Sequence, residues 1–266
     1  IPFARSNTVY SNSSNQEMFT ATLQGLVDRF NLHGERLGEV VGGAVMKHAR
    51  DFNLVRESVL STTLSRDTPA FDIQQACGTG LEAAMLVANK IALGHIECGI
   101  AGGVDTTSDA PIGLNEKLRK ILLEASRAKT MPQRLQALAK VRPQMLLQPA
   151  LPRNGEPRTG LSMGEHCEQM AAEWDIARED QDALALASHQ NLARAYEEGF
   201  FNDLMTPYKG VSKDNNLRAD LSIEKLRSLK PCFDTLSDQF TFHFREGGTH
   251  IKKNHAYGGS GINIVL

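Results

Sequence analysis

The chain has 266 residues, with 29 basic and 31 acidic side chains and a formal net charge of −2. A surface that tracks nucleic-acid phosphates needs a basic excess, so this balance argues against nucleic acid as the main partner. With 41% hydrophobic and 23% charged residues, the composition is that of a globular protein of one large or two ordinary domains. No apolar run approaches the roughly 20 residues that cross a bilayer, so no transmembrane segment is expected.

The start, Ile1-Pro2-Phe3-Ala4-Arg5, has neither the basic segment nor the long apolar run of a secretory leader. It also lacks an initiator Met, so the numbered chain is expected to begin inside a longer polypeptide. The four cysteines, Cys77, Cys98, Cys167 and Cys232, are widely spaced. They show neither a C-x-x-C pair nor a zinc spacing, so no metal site is expected. This usage points to a reducing compartment, the cytoplasm or, in a eukaryote, the mitochondrial matrix.

In chain order, Asn15 to Phe30 reads as a helix with Met18, Leu23, Leu26 and Val27 as its apolar stripe. Val40 to Val45 reads as a buried strand, Asn53 to Leu64 as a second helix, and Phe71-Asp72-Ile73 as a short strand. Cys77-Gly78-Thr79-Gly80 forms a tight turn into a helix over Leu81 to Leu93, stopped by Gly94. Leu81, Ala84, Met85, Ala88 and Ile91 lie at helical spacing and are expected to form its buried face. Cys98 to Val104 is a small and apolar run expected to be a strand buried on both faces, with Cys98 in the core. Strand, helix and strand at this spacing predict a parallel crossover unit.

After Leu114 the character changes. Lys117 to Lys140 is basic, and Pro143, Pro149 and Pro152 follow. Ser162-Met163-Gly164-Glu165 has the form of a capping box and opens a helix to about Trp174. Arg178 to Glu198 is a longer helix, and Pro207 to Asp220 is a polar loop. We expect an α/β core over 1–114, an inserted, mainly helical domain over 115–235, and a closing strand within 236–266. No internal repeat is found.

Cys77 stands where a strand gives way to a helix N-terminus. Free amide groups and the positive end of the helix dipole favour the anionic, nucleophilic thiolate there. Gly78 and Gly80 would let the backbone bend and a substrate approach, and the same amides would hold a developing oxyanion. From local pattern alone, a nucleophile and a small packed residue are equally good readings of Cys77.

The segment Gln75-Ala76-Cys77-Gly78-Thr79-Gly80-Leu81-Glu82-Ala83 resembles the nucleophile segment of thiolases. Ala101-Gly102-Gly103-Val104-Asp105-Thr106-Thr107-Ser108 is similar to their Gly-Gly-x-Asp/Glu-x-x-Ser segment. Ser162-Met163-Gly164 with Glu168-Gln169-Met170-Ala171 resembles a segment of their loop domain, and Arg178 to Asp182 and Ser188-His189-Gln190 resemble the next helix. The resemblance runs from Pro2 to about Asp234. The basic stretch before Pro143 looks most like the thiolases of the fatty-acid β-oxidation complex.

The resemblance implies a layered α-β-α core half with a helical loop domain, and an acyltransferase that cleaves or forms 3-ketoacyl-CoA through an acyl-cysteine on Cys77. Gly78 would sit at the substrate and Met163 against the acyl thioester. Coenzyme A and acyl-CoA would be substrates, with no separate cofactor. A homodimer or homotetramer is implied, and a β-oxidation multienzyme partner would be met through the basic stretch, unless that stretch meets CoA phosphates or is simply solvated. The family's Gly-His-Pro segment and its late second cysteine have no counterpart here, so its second half is expected to be missing. Gly248-Thr249, Asn254 and Ser260-Gly261-Ile262-Asn263 only partly fit the strand that closes the first half. His243, His250 and His255 receive no catalytic role. The competing readings are a ketosynthase-like condensing enzyme, a non-catalytic acyl-CoA-binding or assembly module, and nucleotide binding through Gly78-x-Gly80-x-x-Ala83, a weak signal without an acidic residue to hold a ribose.

Overall fold

The computed structural model describes residues 1–153 and 155–233; the expected closing strand and the three late histidines lie outside them. The described chain forms two compact units. One comprises Ile1–Asp109 with residues 155–233, the other Ala110–Arg153.

The first unit is built around a parallel sheet of three short strands, β1 (Glu39–Gly42), β2 (Ala70–Asp72) and β3 (Gly99–Ala101), in the order β2-β1-β3. Val41 pairs with Phe71 on one side and with Ala101 on the other. β2 and β3 are therefore not neighbours: the helix between them, α3 (Thr79–Ala92), carries the chain past β1. Because side chains alternate along a strand, Val40 and Val41 serve opposite faces, and both are fully buried. Val40 joins Phe19, Leu23 and Val27 of α1 (Asn15–Arg29) and Val55 and Val59 of α2 (Leu54–Leu60). Val41 joins Ala83 and Val87 of α3, with Phe71 and Ile73 beside them. Helices on both faces of a parallel sheet make an α/β layered core, as expected.

Local chemistry places the helix ends. Ser14 and Glu17 form a capping box that opens α1. Asn53 makes no side-chain cap for α2; instead the Asp72 carboxylate at the end of β2 accepts from the amides of Leu54 (3.2 Å) and Val55 (2.9 Å) and from Lys47 Nζ (2.7 Å). One half-buried carboxylate thus ties a strand end to a helix start. A second, Asp105, accepts from the amides of Val45 (2.6 Å) and Met46 (3.0 Å) and pins the loop after β1 to the loop after β3.

Two expectations about this region fail. The buried face of α3 is Thr79, Ala83 and Val87; Leu81, Met85 and Ile91 of the expected stripe are 46%, 51% and 42% exposed. Small side chains at 79 and 83 let the helix lie close on the sheet, and the larger apolar residues are turned away from it. Cys98 is also exposed rather than in the core. It precedes β3 in the turn after α3, where its carbonyl accepts from Gly38 N (3.2 Å). β3 itself is shorter than the apolar run and only half-buried.

The first unit also holds α7 (Met163–Glu173), α8 (Arg178–Glu197) and α9 (Ile223–Arg227). Arg178 pairs with Asp182 and donates to the carbonyls of Leu226, Arg227 and Leu229, closing the end of α9 against α8. Asp214 and Asn215 hold the N-terminal segment through the amides of Phe3 and Arg5, each at 2.7 Å.

The second unit contains α4 (Glu116–Arg127), α5 (Met131–Leu138) and α6 (Pro143–Leu147). Asn115 and Thr130 cap α4 and α5, and Leu118, Ile121, Ala125 and Ala137 are buried within it. Gly113 and Ala150 exchange backbone hydrogen bonds of 2.8 and 2.9 Å that bring its ends together. Among the described residues no helix is long and apolar enough to cross a membrane.

The corrected face of α3 is testable. Val87→Ala is expected to cost about 2 kcal/mol, near the value of a buried side chain of this size. Met85→Ala should stay within about 0.5 kcal/mol, as surface substitutions do. Urea unfolding of this chain measures both, and a larger loss from Met85→Ala would restore the original face.

Asp105 gives a pH signature. Burial pushes its carboxyl above the usual range, against the pull of the Val45, Met46 and Thr106 amides. A carboxyl raised in the fold favours the fold while protonated, and that contribution is lost as pH rises through its folded value. The stability of Asp105→Asn relative to wild type should therefore improve from acid to neutral pH. Paired denaturation curves at several pH values measure this, and a difference independent of pH would contradict it.

Candidate functional site

The carboxyl ends of all three strands open on one cavity of about 610 Å³. The loop after β1 contributes Gly43, Ala44 and Val45. The loop after β2 contributes Ala76 and Cys77, followed by Thr79 and Gly80 at the start of α3. The loop after β3 contributes Gly102 to Ser108, and the segment Ile1 to Ser6 completes the wall with Tyr10, Met18 and Thr22. Open parallel sheets place their sites at this end, because loops leave the strands there while helices cover both faces.

Cys77 is exposed and lines this cavity. The turn that presents it is strained. Ala76 has φ of 45°, a left-handed conformation that costs a non-glycine residue roughly 1–2 kcal/mol. Gly78 N donates to Gln75 O (2.9 Å) and Thr79 N to Ala76 O (3.2 Å). The Thr79 hydroxyl accepts from Gln75 N (2.9 Å) and donates to Ala76 O (2.8 Å). The sharp bend expected of Gly78 falls on Ala76 instead: Gly78 caps α3 with φ of −87°, open to any residue. An added side-chain carbon there would meet Gln75 O at 3.4 Å, an ordinary contact. Gly78 is half-buried in the turn and is not among the residues that line the cavity.

Met163 opens α7, which Ser162 and Glu165 cap reciprocally: Ser162 Oγ accepts from Glu165 N (3.3 Å), and the Glu165 carboxylate accepts from Ser162 N (2.6 Å). That backbone hydrogen bond holds the Glu165 carboxyl below its ordinary range. A side-chain carbon at Gly164 would fall 2.1 Å from the Phe233 ring, which would have to move to admit it. Met163 is 62% exposed and does not line the cavity with Cys77.

The other sulfurs differ in setting. Cys167 on α7 is half-buried, and burial followed by the charge of Glu168 pushes its thiol up, the opposite of an activated nucleophile. Cys232 is half-buried and Cys98 is exposed but outside the cavity. Histidine is absent from the residues lining the cavity. His48 is held by Asp109, through its carbonyl at 2.9 Å and its carboxylate at 3.3 Å. Among the described residues no cluster of three or more His, Cys, Asp or Glu side chains is arranged to hold a metal ion.

Sequence reasoning singled out neither Thr79 nor Asp105. Both lie in segments quoted for their resemblance, but a hydroxyl two residues after a cysteine and an acid after two glycines carry no signal of what they hold until the backbone is folded.

Comparison with known proteins agrees with this geometry. Residues 1–238 match the family model for the thiolase N-terminal domain. The chain is 38% identical over 239 residues to a 3-ketoacyl-CoA thiolase of Erwinia tasmaniensis, covering 88% of this chain and 54% of that protein. A 3-ketoacyl-CoA thiolase of Pectobacterium atrosepticum is 39% identical with the same coverage. Among solved structures, Bacillus anthracis acetyl-CoA acetyltransferase superposes with a TM-score of 0.69 at 25% identity, over 93% of this chain and 57% of that one. Human mitochondrial 3-ketoacyl-CoA thiolase in complex with CoA shares the fold at a TM-score of 0.69 and 21% identity, over 88% and 56%. The chain thus spans little more than half the length of the relatives it matches. Over that span, with its cysteine at the carboxyl ends of a parallel sheet, the chain belongs to the thiolase family.

Proposed function

We propose that this chain supplies the nucleophile-bearing part of a 3-ketoacyl-CoA thiolase, an acyltransferase of fatty-acid β-oxidation. The observation that carries this reading is the exposed Cys77 on the wall of a cavity where three parallel strands end.

In the proposed reaction the Cys77 thiol gives its proton to a base and its sulfur attacks the keto carbon of a 3-ketoacyl-CoA. We assign the resulting oxyanion to the amides at the start of α3 other than those of Thr79 and Glu82, which already donate to Ala76 O and Gly78 O. Collapse breaks the bond between the keto carbon and its CoA-side neighbour. The electron pair leaves on that neighbour, which takes up a proton and departs as acetyl-CoA. The acyl group stays on Cys77 as a thioester. A second CoA thiol then attacks this thioester and frees Cys77. Covalent capture of this kind splits one difficult cleavage into two displacements. Histidine is absent from the residues that line the cavity, and we assign the base for Cys77, with the proton donor, to parts of the protein beyond the described residues.

Gly78 is assigned to the turn at the substrate and Met163 to the acyl thioester, which requires the substrate to bridge α7 and the Cys77 turn. The division of labour proposed is a core over 1–114 and a CoA-covering loop domain over 115–235. Its basic segment would meet CoA phosphates or a partner subunit of a β-oxidation complex. A homodimer or homotetramer in the cytoplasm or mitochondrial matrix is part of the same reading, with coenzyme A as substrate and no further cofactor.

The test is alkylation by iodoacetamide at neutral pH, read by peptide mass mapping. Cys77 is expected to react at least about tenfold faster than Cys98, which is exposed too, since a nucleophile's reactivity is not set by exposure alone. Prior incubation with acyl-CoA should protect Cys77 alone. Equal rates at the two cysteines, without protection, would sink the assignment. Cys77→Ser should remove acyl transfer from acyl-CoA to the protein, and acylation persisting in that variant would place the nucleophile elsewhere.

A further inference from the structure

The turn that carries Cys77 contains one side chain whose bonding has no role in an ordinary helix start. We propose that Thr79 is a positioning residue for the Cys77 thiol: its hydroxyl clasps the left-handed turn and so holds the sulfur on the cavity wall. The inference rests on Cys77 being the nucleophile and adds the group that aims it.

Thr79 is buried at 5% exposure, although it is the first residue of α3. Its hydroxyl carries one hydrogen and two lone pairs, and both neighbours use them in compatible directions. Gln75 N donates to it at 2.9 Å, and it donates to Ala76 O at 2.8 Å. The residues so engaged lie immediately before the cysteine. The carbonyl it holds belongs to Ala76, the residue with φ of 45°. A peptide group fixed at its carbonyl cannot rotate freely, and the Ala76–Cys77 peptide sets the direction in which the Cys77 side chain leaves the backbone.

The methyl group of Thr79 is fixed too. A side-chain carbon added at Gly43 would fall 3.0 Å from Thr79 Cγ2 and 2.0 Å from Ile73 O, so the glycine after β1 is the floor on which the methyl rests. Threonine thus meets the site with both branches: the methyl against β1's loop, the hydroxyl across the turn. Glycine at 78 adds no hold of its own, having no side-chain cap bond. Without the hydroxyl, the strained residue loses the one side-chain clasp that spans the turn among the described residues, and relaxation of Ala76 toward right-handed φ would swing Cys77 along the wall.

Thr79→Val keeps the shape and the methyl contact but removes the hydroxyl; Thr79→Ser keeps the hydroxyl and removes the methyl. Both variants are read by alkylation of Cys77 across a range of pH, with Cys98 in the same molecule as reference, and by acylation from acyl-CoA. The expected result for Thr79→Val is a fall in the Cys77 rate of roughly tenfold or more, the scale set by small misplacements of a reacting group. Cys98 should be unchanged, and Thr79→Ser should recover most of the rate. The proposal is overturned if Thr79→Val labels Cys77 as fast as wild type, if Thr79→Ser is as slow as Thr79→Val, or if Cys77 and Cys98 change together. If wild-type Cys77 already reacts no faster than Cys98, the nucleophile reading falls and takes this one with it. Fast wild-type labelling with a silent Thr79→Val removes only the role of Thr79.

Discussion

The constraint on which this structure depends is that β1 has no exposed side. Val40 and Val41 point in opposite directions and neither meets water, so one face must be covered by α1 and α2 and the other by α3. With parallel strands, covering both faces leaves only the strand ends for chemistry. All three strands run the same way, so all three loops at their carboxyl ends converge. The cavity beside Cys77 follows from that convergence, and any residue in those loops is brought to it whatever its distance in sequence.

Three polar ties then fix loops that packing alone would leave free. Asp72 binds the end of β2 to the start of α2, and its partner Lys47 lies in the segment after β1. Asp105 binds the loop after β3 to the amides of Val45 and Met46. Thr79 spans the turn between β2 and α3. Each tie satisfies backbone groups that would otherwise be orphaned near the core, a loss of about 1–3 kcal/mol apiece. The two carboxylates differ in character: Asp72 faces a lysine ammonium, whereas Asp105 is held chiefly by backbone amides and burial opposes its charge. Left-handed Ala76 is affordable in this setting because the surrounding bonds over-determine the turn.

Much of this was legible in the amino-acid order. The capping box at Ser162, the helix expected over Arg178 to Glu198 and the strands expected at Val40 to Val45 and Phe71 to Ile73 all carry local signals that the fold keeps, with the strands falling at 39–42 and 70–72. The position of Cys77 at a strand-to-helix turn was also readable. What failed was tertiary. On α3, two apolar faces compete, one of large residues at 81, 85 and 91 and one of small residues at 83 with Val87. Periodicity favours the larger side chains, but a helix lying close on a sheet selects the smaller ones. Cys98 begins an apolar run, yet the run starts in a turn, and hydrophobicity alone does not mark where a strand begins. Thr79 and Asp105 were invisible as functional groups because what they bind is backbone, and backbone has no letter in the sequence.

Charge shows the same contrast between an average and an arrangement. The whole chain carries −2, but the unit Ala110–Arg153 holds nine basic residues (Lys117, Arg119, Lys120, Arg127, Lys129, Arg134, Lys140, Arg142 and Arg153) against Glu116 and Glu124. That is 9 − 2 = +7, leaving −2 − 7 = −9 for the other 222 residues (266 − 44). Both acids are already engaged, Glu116 by Arg119 and Lys120 and Glu124 by Lys140. Lys117, Arg127, Lys129, Arg134, Arg142 and Arg153 are left without an ion pair among the described residues. Solvent-exposed like charges within a Debye length of about 8 Å repel one another, so their concentration in 44 residues opposes the folding of that unit unless an anion offsets it. A near-neutral total therefore excludes a protein-wide polyanion surface while leaving a local one in place. It is this local excess that the proposed contact with CoA phosphates or an acidic partner face would neutralise.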